Sequence, residues 1–293
     1  FGIPACGAVL NTINTRLEKQ TISYILSHGE AKVILVDSQF LSVVEEAIEM
    51  MEEVSPKIIE VADLEAGIVK SGKYPEYEDL ISSASSNYEW IMPKDEWESI
   101  SLNYTSGTTG RPKGVVSHHR GSYLMTMGTV ISWKMTLYPK YLTIVPLFHC
   151  NGWNHTWMMP LLGGTIVCCR DITAKAIYAA IANEGVTHFG GAPIVLNMIT
   201  GAPENDRKQL KQKVHVLTAG APPPSIIFKK MKNLGFEVMH VYGLTETYGH
   251  VTQCAWNDEW NDFEEEKQNE IKARQGVRNP NTQVVTIMDP ETK

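Results

Sequence analysis

The chain has 293 residues, of which 43% are hydrophobic and 20% are charged, and it carries a net charge of −7 at pH 7. This length suffices for one large domain or two ordinary domains with a sizeable core. The acidic balance excludes the clustered basic surface that nucleic-acid binding needs. We therefore expect no nucleic-acid partner, and because no apolar run reaches the roughly 18 residues of a membrane span, we expect no membrane span either. The five cysteines lack metal-type CxxC spacing, which predicts a reduced, cytoplasmic protein.

Helical and strand-like patterns alternate in the first third of the chain. Apolar residues at helical spacing predict helices over Lys19–His28 and residues 42–53, on either side of the strand-like run KVILVD. The serine-rich residues 74–90 are predicted to form a surface connection. In SISLNY, apolar and polar residues alternate, which predicts a strand leading into a glycine-rich loop. After a short return strand, GVV, Ser117 is predicted to cap a helix that ends near Trp133.

The second half of the chain continues this alternation. Strand-like runs are YLTIVPLF, TIVCC, VTHFG, VHVLTAG and FEVMHVYG, and helices are predicted at residues 174–184 and 225–233. The run with adjacent Cys168 and Cys169 is predicted to be a buried strand with reduced thiols. Residues 256–274 are typical of a solvated acidic helix. The pattern as a whole predicts an α/β fold with largely parallel sheets flanked by helices.

The stretch NYTSGTTGRPKGVVSHH has the composition of a phosphate-binding loop. Glycine lets the backbone approach a ligand, hydroxyl groups donate hydrogen bonds to phosphate oxygens, and Lys113 adds a positive charge. A flexible surface turn is the alternative interpretation of such a composition. The Walker pattern is absent, because Pro112 stands immediately before the lysine, and this disfavours a kinase-like NTPase.

The run YTSGTTGRPKG resembles the phosphate loop of the acyl-adenylate-forming superfamily, which comprises acyl-CoA synthetases, luciferases and the adenylation domains of peptide synthetases. Further motifs similar to those of this family follow in order: PLFHCNGW, LTAGAPPP and VYGLTET. The resemblance covers essentially the whole chain. It implies an acid–thiol ligase that uses a small carboxylic acid, ATP, Mg²⁺ and coenzyme A, and it leaves a homodimer open.

The resemblance also implies a role for each residue at a matching position. The phosphates of ATP and the departing pyrophosphate would be held by Thr105, Ser106, Gly107, Thr108, Thr109, Gly110 and Lys113. The adenine would lie against Gly220, Ala221, Pro222, Tyr242 and Gly243. The acyl pocket would be lined by His149, Trp153, Gly191, Ala192 and Pro193. The catalytic residues would be Lys113, His149, Thr245 and Glu246, of which Glu246 would also bind the metal.

Elementary chemistry agrees with several of these roles. A histidine such as His149 at a strand end can donate to a carboxylate, although a lone histidine there is more often structural. The aromatic face of Tyr242 suits a purine, and the carboxylate of Glu246 suits Mg²⁺. His149, Trp153 and Trp157 are spaced to share one face of a helix that begins near residue 151, with Trp157 more suited to the core and Trp153 to the pocket wall.

A bulky Trp153 at the pocket wall favours a short- or medium-chain acid. The segments around His149 and FGGAP resemble short- and medium-chain acyl-CoA synthetases, including 3-methylthiopropionyl-CoA ligases, so 3-methylthiopropionate is the leading candidate substrate. Fatty acids and small aromatic acids remain alternatives. An adenylation domain of a peptide synthetase is disfavoured, since the pocket segments offer no carboxylate for an ammonium group.

The resemblance divides the chain into three parts: a first α/β subdomain with the phosphate loop at residues 1–134, a second with the acyl and adenine sites at 139–258, and an acidic helix with the beginning of a β-barrel subdomain at 259–293. The chain begins without methionine, so we expect a fragment of the large N-terminal domain, truncated at both ends. A ribose-binding aspartate and a C-terminal domain with the adenylation lysine would follow Lys293. A non-catalytic nucleotide- or acyl-binding fragment is therefore a further alternative.

Overall fold

The computed structural model describes residues 1–52, 55–105, 110–289 and 291–292. The chain forms two compact units, Phe1–Val116 and Ser117–Lys293. This boundary falls earlier than the predicted one between residues 134 and 139, because the helix that follows it packs on elements of the second unit. Compact units need not coincide with subdomains, so the three-part division stays a prediction.

The first unit contains two small sheets. One has the strand order β1, β4, β5, and the other pairs β2 with β3 in parallel. The strands are β1 (Leu10–Asn11), β2 (Val33–Asp37), β3 (Lys57–Val61), β4 (Ser99–Thr105) and β5 (Lys113–His118). The helices are α1 (Gly2–Ala5), α2 (Lys19–His28), α3 (Leu41–Glu49) and α4 (Tyr77–Ser83). β4 and β5 therefore lie side by side and flank the glycine-rich loop.

Helices α2 and α3 bury their apolar faces against each other. Ile22 and Leu26 of α2 and Ala47 of α3 share one core cluster, which confirms the predicted helix over Lys19–His28. The second predicted helix ends at Glu49, and its predicted last residue lies outside the described residues. The predicted surface connection contains α4, whose first turn is capped by the Glu76 carboxylate, which accepts from the Asp79 amide at 2.9 Å.

The second unit is built around a seven-stranded sheet with the order β12, β11, β10, β9, β8, β6, β7. Its strands are β6 (Lys140–Thr143), β7 (Thr165–Cys168), β8 (His188–Gly190), β9 (Val214–Thr218), β10 (Phe236–Leu244), β11 (Gly249–Gln253) and β12 (Val277–Arg278). The pairs from β7 to β10 are parallel, whereas β11 and β12 are added antiparallel. The predicted α/β class with a largely parallel sheet is thus confirmed.

Helices cover both faces of this sheet, as buried parallel strands require. They are α5 (His119–Ser132), α6 (His155–Leu162), α7 (Ala174–Glu184), α8 (Pro193–Thr200), α9 (Ser225–Asn233) and α10 (Glu265–Lys272). One face packs Phe189, Val216 and Phe236 against α7, α8 and α9. The other face packs Tyr141 and Leu217 against the two methionines of α6 and the tryptophan that follows α5. Both cores are fully buried at their centres.

Several local predictions are corrected by these neighbours. Ser117 lies in β5, and the side chain that caps α5 is that of His118, whose Nδ1 accepts from the Gly121 amide at 2.9 Å. β7 is the edge strand of the sheet, so Cys168 is exposed rather than buried. In the acidic segment only Glu265–Lys272 is α-helical, and it is preceded by a short 3-10 helix at Asp258–Asp262.

The C-terminal strand of the described chain joins the large sheet. β12 pairs with β11 through Thr252 and Gln253, and the described residues contain no closed barrel. Asn279, directly after β12, is fully buried, and its side-chain amide donates to Nε2 of His250 at 2.9 Å. Within the described ranges, no helix combines the length and apolar character of a membrane-crossing segment.

Candidate functional site

Four neighbouring parallel strands of the second unit end at one edge of the sheet, and each is followed by a segment that the sequence singles out. His149 follows β6, residues 191–193 follow β8, residues 220–222 follow β9, and residues 245–247 follow β10. Ligands in open α/β sheets bind beside the carboxyl ends of the strands. The structure therefore brings the predicted acyl, adenine and metal segments of this unit to a common edge.

The residues after β10 form a tight turn before β11. Thr245–Thr247 is a single 3-10 turn, and its conformation is held by the hydroxyl of Thr247, which accepts from the Leu244 amide at 2.9 Å and lies 2.8 Å from the Gly249 carbonyl. A Cβ at Gly243 would overlap the Gly249 carbonyl, so only glycine fits there. Glu246 is consequently presented as an exposed carboxylate at the strand end.

The Cys150 thiol lies beside this turn. Burial raises the pKa of the thiol, a hydrogen bond from the Thr245 side chain opposes that effect, and the Glu246 charge adds to it. The thiol is therefore neutral near pH 7, where it can share a hydrogen bond with the Thr245 hydroxyl without bringing a second negative charge close to Glu246. The motifs after β6 and β10, almost 100 residues apart in sequence, are thus in contact.

The segment after His149 is a left-handed turn. Residues 150–154 all have φ between 45° and 72°, and the amides of Gly152 and Trp153 donate to the His149 carbonyl at 2.9 and 3.0 Å. A left-handed conformation costs roughly 1–2 kcal/mol for each residue with a side chain. The right-handed helix α6 begins only at His155. The prediction that His149, Trp153 and Trp157 share one helix face is therefore wrong.

The two predicted pocket residues at the ends of this turn differ in burial. His149 remains exposed, whereas Trp153 packs partly against the core cluster below the sheet edge and meets the His155 ring at right angles, with ring centres 5.9 Å apart. Next to it, a Cβ at Gly190 would come within 2.9 Å of the His155 ring and 2.8 Å of Val145. The segment that begins at Gly191 is therefore backed by tightly packed side chains.

His155 is a buried residue that sequence reasoning missed. Its Nδ1 lies 2.8 Å from the Tyr141 hydroxyl, while Nε2 has no hydrogen-bond partner among the described atoms. Burial, with help from His250 and His188, lowers the pKa of His155 to about 3, so the ring is neutral near pH 7. The sequence signal was a second histidine inside the His149 motif, which local patterning alone could not distinguish from a site residue.

The adenine segments lie on neighbouring strands of the same edge. Gly220 has φ of 90° in an exposed turn that continues through Ala221 and Pro222, and β9 and β10 are adjacent and parallel. Tyr242, near the end of β10, leaves 41% of its surface exposed. An exposed aromatic face beside an exposed glycine turn has the form that a purine needs for stacking and close backbone approach.

In the first unit, the flanks of the glycine-rich loop are anchored on α2. The Tyr104 hydroxyl lies 2.7 Å from Nδ1 of His28, and the Arg111 guanidinium lies over the Tyr24 ring at 5.6 Å from its centre. Thr105 ends β4, Gly110 has φ of 111°, and Lys113 begins β5 as an exposed side chain. The predicted phosphate-binding residues Ser106, Gly107, Thr108 and Thr109 lie outside the described residues.

The metal prediction rests on one carboxylate. The described part of the chain has no group of three or more histidine, cysteine, aspartate or glutamate side chains arranged to hold a metal ion. Mg²⁺ is commonly held by one or two carboxylates together with substrate phosphates and water molecules. An exposed Glu246 next to the Thr245 hydroxyl fits that mode of binding, which needs no preformed protein cage.

Comparison with known proteins identifies the family. The AMP-binding enzyme family matches residues 1–293, and the chain belongs to this family. It is 45% identical to the peroxisomal acetate/butyrate–CoA ligase AAE7 of Arabidopsis thaliana and 43% identical to the 2-methylpropanoate–CoA ligase CCL4 of Humulus lupulus. Both alignments cover 100% of this chain but only 53% of the relative. The chain thus spans about half the length of these relatives.

Solved structures agree with this fold. The N-terminal domain of FACL13 from Mycobacterium tuberculosis superposes with a TM-score of 0.73 and 25% identity, covering 87% of this chain and 61% of that one. A benzoate CoA ligase from Burkholderia xenovorans LB400 gives a TM-score of 0.75 at 19% identity, covering 95% and 52%. The predicted fold, that of the large N-terminal domain of acyl-adenylate-forming enzymes, is confirmed.

Proposed function

We propose that the protein containing this chain is an ATP-dependent acid–thiol ligase that activates a short-chain carboxylic acid as an acyl-adenylate and transfers it to coenzyme A. The observation that carries the proposal is the common sheet edge, where segments of acyl-binding, adenine-binding and metal-binding character follow adjacent strands. Membership of the AMP-binding family supports it.

The reaction has two steps, adenylation of the acid and transfer of the acyl group to coenzyme A. In the first, a carboxylate oxygen of the acid attacks the α-phosphorus of ATP, the bond to the bridging oxygen of the β-phosphate breaks, and pyrophosphate leaves. In the second, the sulfur of coenzyme A attacks the acyl carbonyl carbon, the thiol proton is released, and AMP leaves. The protein contributes mainly by positioning the reactants and stabilising the developing charge.

The residues of the second unit supply the positioning. The Tyr242 ring stacks on the adenine, and exposed His149 donates to the substrate carboxylate. With nucleotide bound, the Thr245 hydroxyl donates its one proton to the α-phosphate and accepts from the neutral Cys150 thiol instead. The Glu246 carboxylate would hold Mg²⁺, which when bound would supply neutralisation of the phosphate charge. Because the Cys150 thiol is neutral, no second negative charge stands beside the Glu246 carboxylate.

In the first unit, Lys113 carries the positive charge that the leaving pyrophosphate requires. Its side chain is exposed, whereas the Arg111 guanidinium is engaged with the Tyr24 ring. Both cations in GRPKG are exposed, and Lys113, which has no such ring contact among the described residues, is the one proposed to meet the phosphate groups.

The substrate is proposed to be a small aliphatic acid. Two relatives are named for acetate or butyrate and for 2-methylpropanoate, and all three acids are short. His155 and Val145 pack tightly around Gly190, so an acyl pocket at this strand end cannot extend further into the protein, which agrees with a small acyl group. 3-Methylthiopropionate, a thioether of similar size, remains the finer proposal from the sequence.

The test is carboxylate-dependent ATP–pyrophosphate exchange in the full-length protein. The panel would contain acetate, butyrate, 2-methylpropanoate, 3-methylthiopropionate, benzoate and straight-chain acids up to decanoate. We expect exchange to be greatest for one of the short aliphatic acids, followed by formation of its CoA thioester. A maximum at benzoate or decanoate would contradict the substrate class, and absence of exchange with every acid would favour a non-catalytic nucleotide-binding protein.

A further inference from the structure

Tyr248, the first residue after the Thr245–Thr247 turn, joins that turn to the beginning of α5. Its hydroxyl accepts from the His118 amide at 3.4 Å, and its ring meets the His118 imidazole edge-on with ring centres 5.0 Å apart. His118 is also the N-cap of α5. One histidine thus caps the helix and contacts the tyrosine that ends the turn.

The backbone of Tyr248 is in an unfavourable conformation. Its φ of 62° and ψ of −11° lie in the left-handed region, which costs about 1–2 kcal/mol for a residue with a side chain. Glycine or asparagine would adopt this conformation more easily. The contacts of the ring with the first turn of α5 offset this strain.

Gly121 makes room for this ring. A Cβ at Gly121 would lie 2.8 Å from two carbon atoms of the Tyr248 ring and 3.0 Å from the His118 ring. Carbon atoms in contact are normally about 3.5–4.0 Å apart, so any larger residue must displace the tyrosine. Gly121, in SHHRG, therefore leaves the space that the ring of Tyr248, in LTETYG, occupies, although the two residues are more than 100 positions apart in sequence.

We propose that Tyr248 is a positioning residue for the proposed ligase reaction. Tyr248 packs on His118 and Gly121 and thereby fixes the orientation of the preceding turn. This orientation directs Thr245 towards the α-phosphate and Glu246 towards Mg²⁺. Tyr248 touches neither substrate nor metal itself, and its effect passes through the turn. This inference rests on the proposed function, because it concerns the same phosphate and metal site.

Gly128 provides a matched control on the same helix. A Cβ there would lie 2.5 Å from Asn281 Nδ2 and 2.7 Å from Asn279 Oδ1, which belong to the segment after β12 rather than to the turn. Both glycines are thus intolerant of a side chain, but only Gly121 contacts the residue adjacent to the site. Substituting each by alanine separates loss of positioning from loss of stability.

The experiment measures the Mg²⁺ dependence of ATP–pyrophosphate exchange in the full-length protein with its preferred acid. For Gly121→Ala we expect the half-saturating Mg²⁺ concentration to rise by about tenfold or more at 20 to 25 °C, a change that corresponds to roughly 1.4 kcal/mol. For Gly128→Ala we expect a lower Tm with a Mg²⁺ dependence within about twofold of the wild type. An unchanged Mg²⁺ dependence in Gly121→Ala, or an equal shift in both variants, would overturn the proposal.

A double-mutant cycle supplies the second readout. This cycle measures the Kd of Mg²⁺–ATP by isothermal titration calorimetry in the absence of the acid. If Gly121→Ala acts by displacing the ring, it should have little further effect on this Kd in a Tyr248→Leu background. Full additivity would show that the two residues act independently and would contradict the proposal. Failure of the proposed function is distinguishable, because the wild-type protein would then show no acid-dependent exchange at all, and the inference would fall with it.

Discussion

Histidines His149 and His155, six residues apart, lie in opposite environments. His149 is exposed at the carboxyl edge of the sheet, after which the backbone enters the left-handed turn. His155 is buried below that edge among Tyr141, Trp133 and Trp153. The same residue type is thus exposed at one position and buried as a neutral ring at the other. The strand-end turn leaves His149 at the surface, while Trp153 and His155 pack into the interior below it.

An ordered row of polar side chains also crosses the sheet, from buried Tyr141 and His188 to exposed Glu237. Tyr141, His188, His215 and Glu237 occupy matching register positions on β6, β8, β9 and β10. The rings of His188 and His215 stack with centres 5.0 Å apart, and Nδ1 of His215 lies 3.6 Å from Glu237. Burial lowers the pKa of His188 to about 4, with a contribution from His215. His188 is therefore a buried structural group for which a positive charge would be unfavourable.

The largest expected effect concerns the exposed charges. Lys113→Ala and Glu246→Gln should each reduce ATP–pyrophosphate exchange by about 10²- to 10³-fold, because each removes charge stabilisation from the reacting phosphates. Their Tm values should stay close to that of the wild type, since both side chains are exposed. Lys175→Ala and Glu266→Gln, which change exposed charges elsewhere, are the matched controls. Near-normal exchange in either site variant would remove that residue from its proposed role.

Acidification should affect the interior more than the edge. Burial is the main cause that lowers the pKa of His155 to about 3 and of His188 and His250 to about 4. The unfolded chain, with histidine pKa values near 6.5, binds more protons below that pH. The free energy of unfolding should therefore have its full value above pH 6.5, where these histidines are neutral in both states. It should decrease as pH falls towards 4, by up to about 1.4 kcal/mol per pH unit for each histidine.

Urea denaturation at several pH values would measure this slope. In His188→Phe the slope between pH 6 and pH 5 should be smaller by up to about 1.4 kcal/mol per pH unit, because one buried imidazole no longer resists protonation. Equal slopes in the wild type and His188→Phe would contradict the assignment of His188 as a buried neutral group.

Removing one interior hydrogen bond should lower stability by a smaller amount. Tyr141→Phe leaves Nδ1 of His155 buried without its partner at 2.8 Å, so the free energy of unfolding should decrease by about 1–3 kcal/mol. Thermal unfolding would report the change as a lower Tm. Leu142→Ile, a change of similar volume in the adjacent buried residue without a polar group, is the control and should cost less than about 1.5 kcal/mol. A fully stable Tyr141→Phe protein would show that the bond contributes nothing.

The smallest expected effect tests the left-handed turn. Asn154 has φ of 61°, and the Nδ2 atom of its buried side chain has no partner among the described atoms. Asn154→Gly should therefore be tolerated better than Asn154→Ala, by about 1 kcal/mol, because only glycine adopts this conformation without steric cost. Chemical denaturation of the two variants side by side provides the measurement. Greater stability of the alanine variant would contradict a left-handed conformation at this position.

The sequence alone was sufficient for the features that depend on local pattern and motif order. Alternating strand and helix periods predicted the α/β class, and α2, α7 and α9 lie where apolar spacing places them. The order of the motifs from YTSGTTG to VYGLTET predicted the family. The class, these helices and the family could be predicted because each depends on patterns within short runs of consecutive residues.

Tertiary structure alone decided which residues support the motifs. The left-handed turn replaced a predicted helix start, His118 replaced Ser117 as the cap of α5, and Cys168 proved exposed because β7 is an edge strand. The contact of Tyr248 with Gly121 joins positions far apart in the chain. Local periodicity carries no information about such partners, because strain and burial depend on which distant side chains fill the adjacent space.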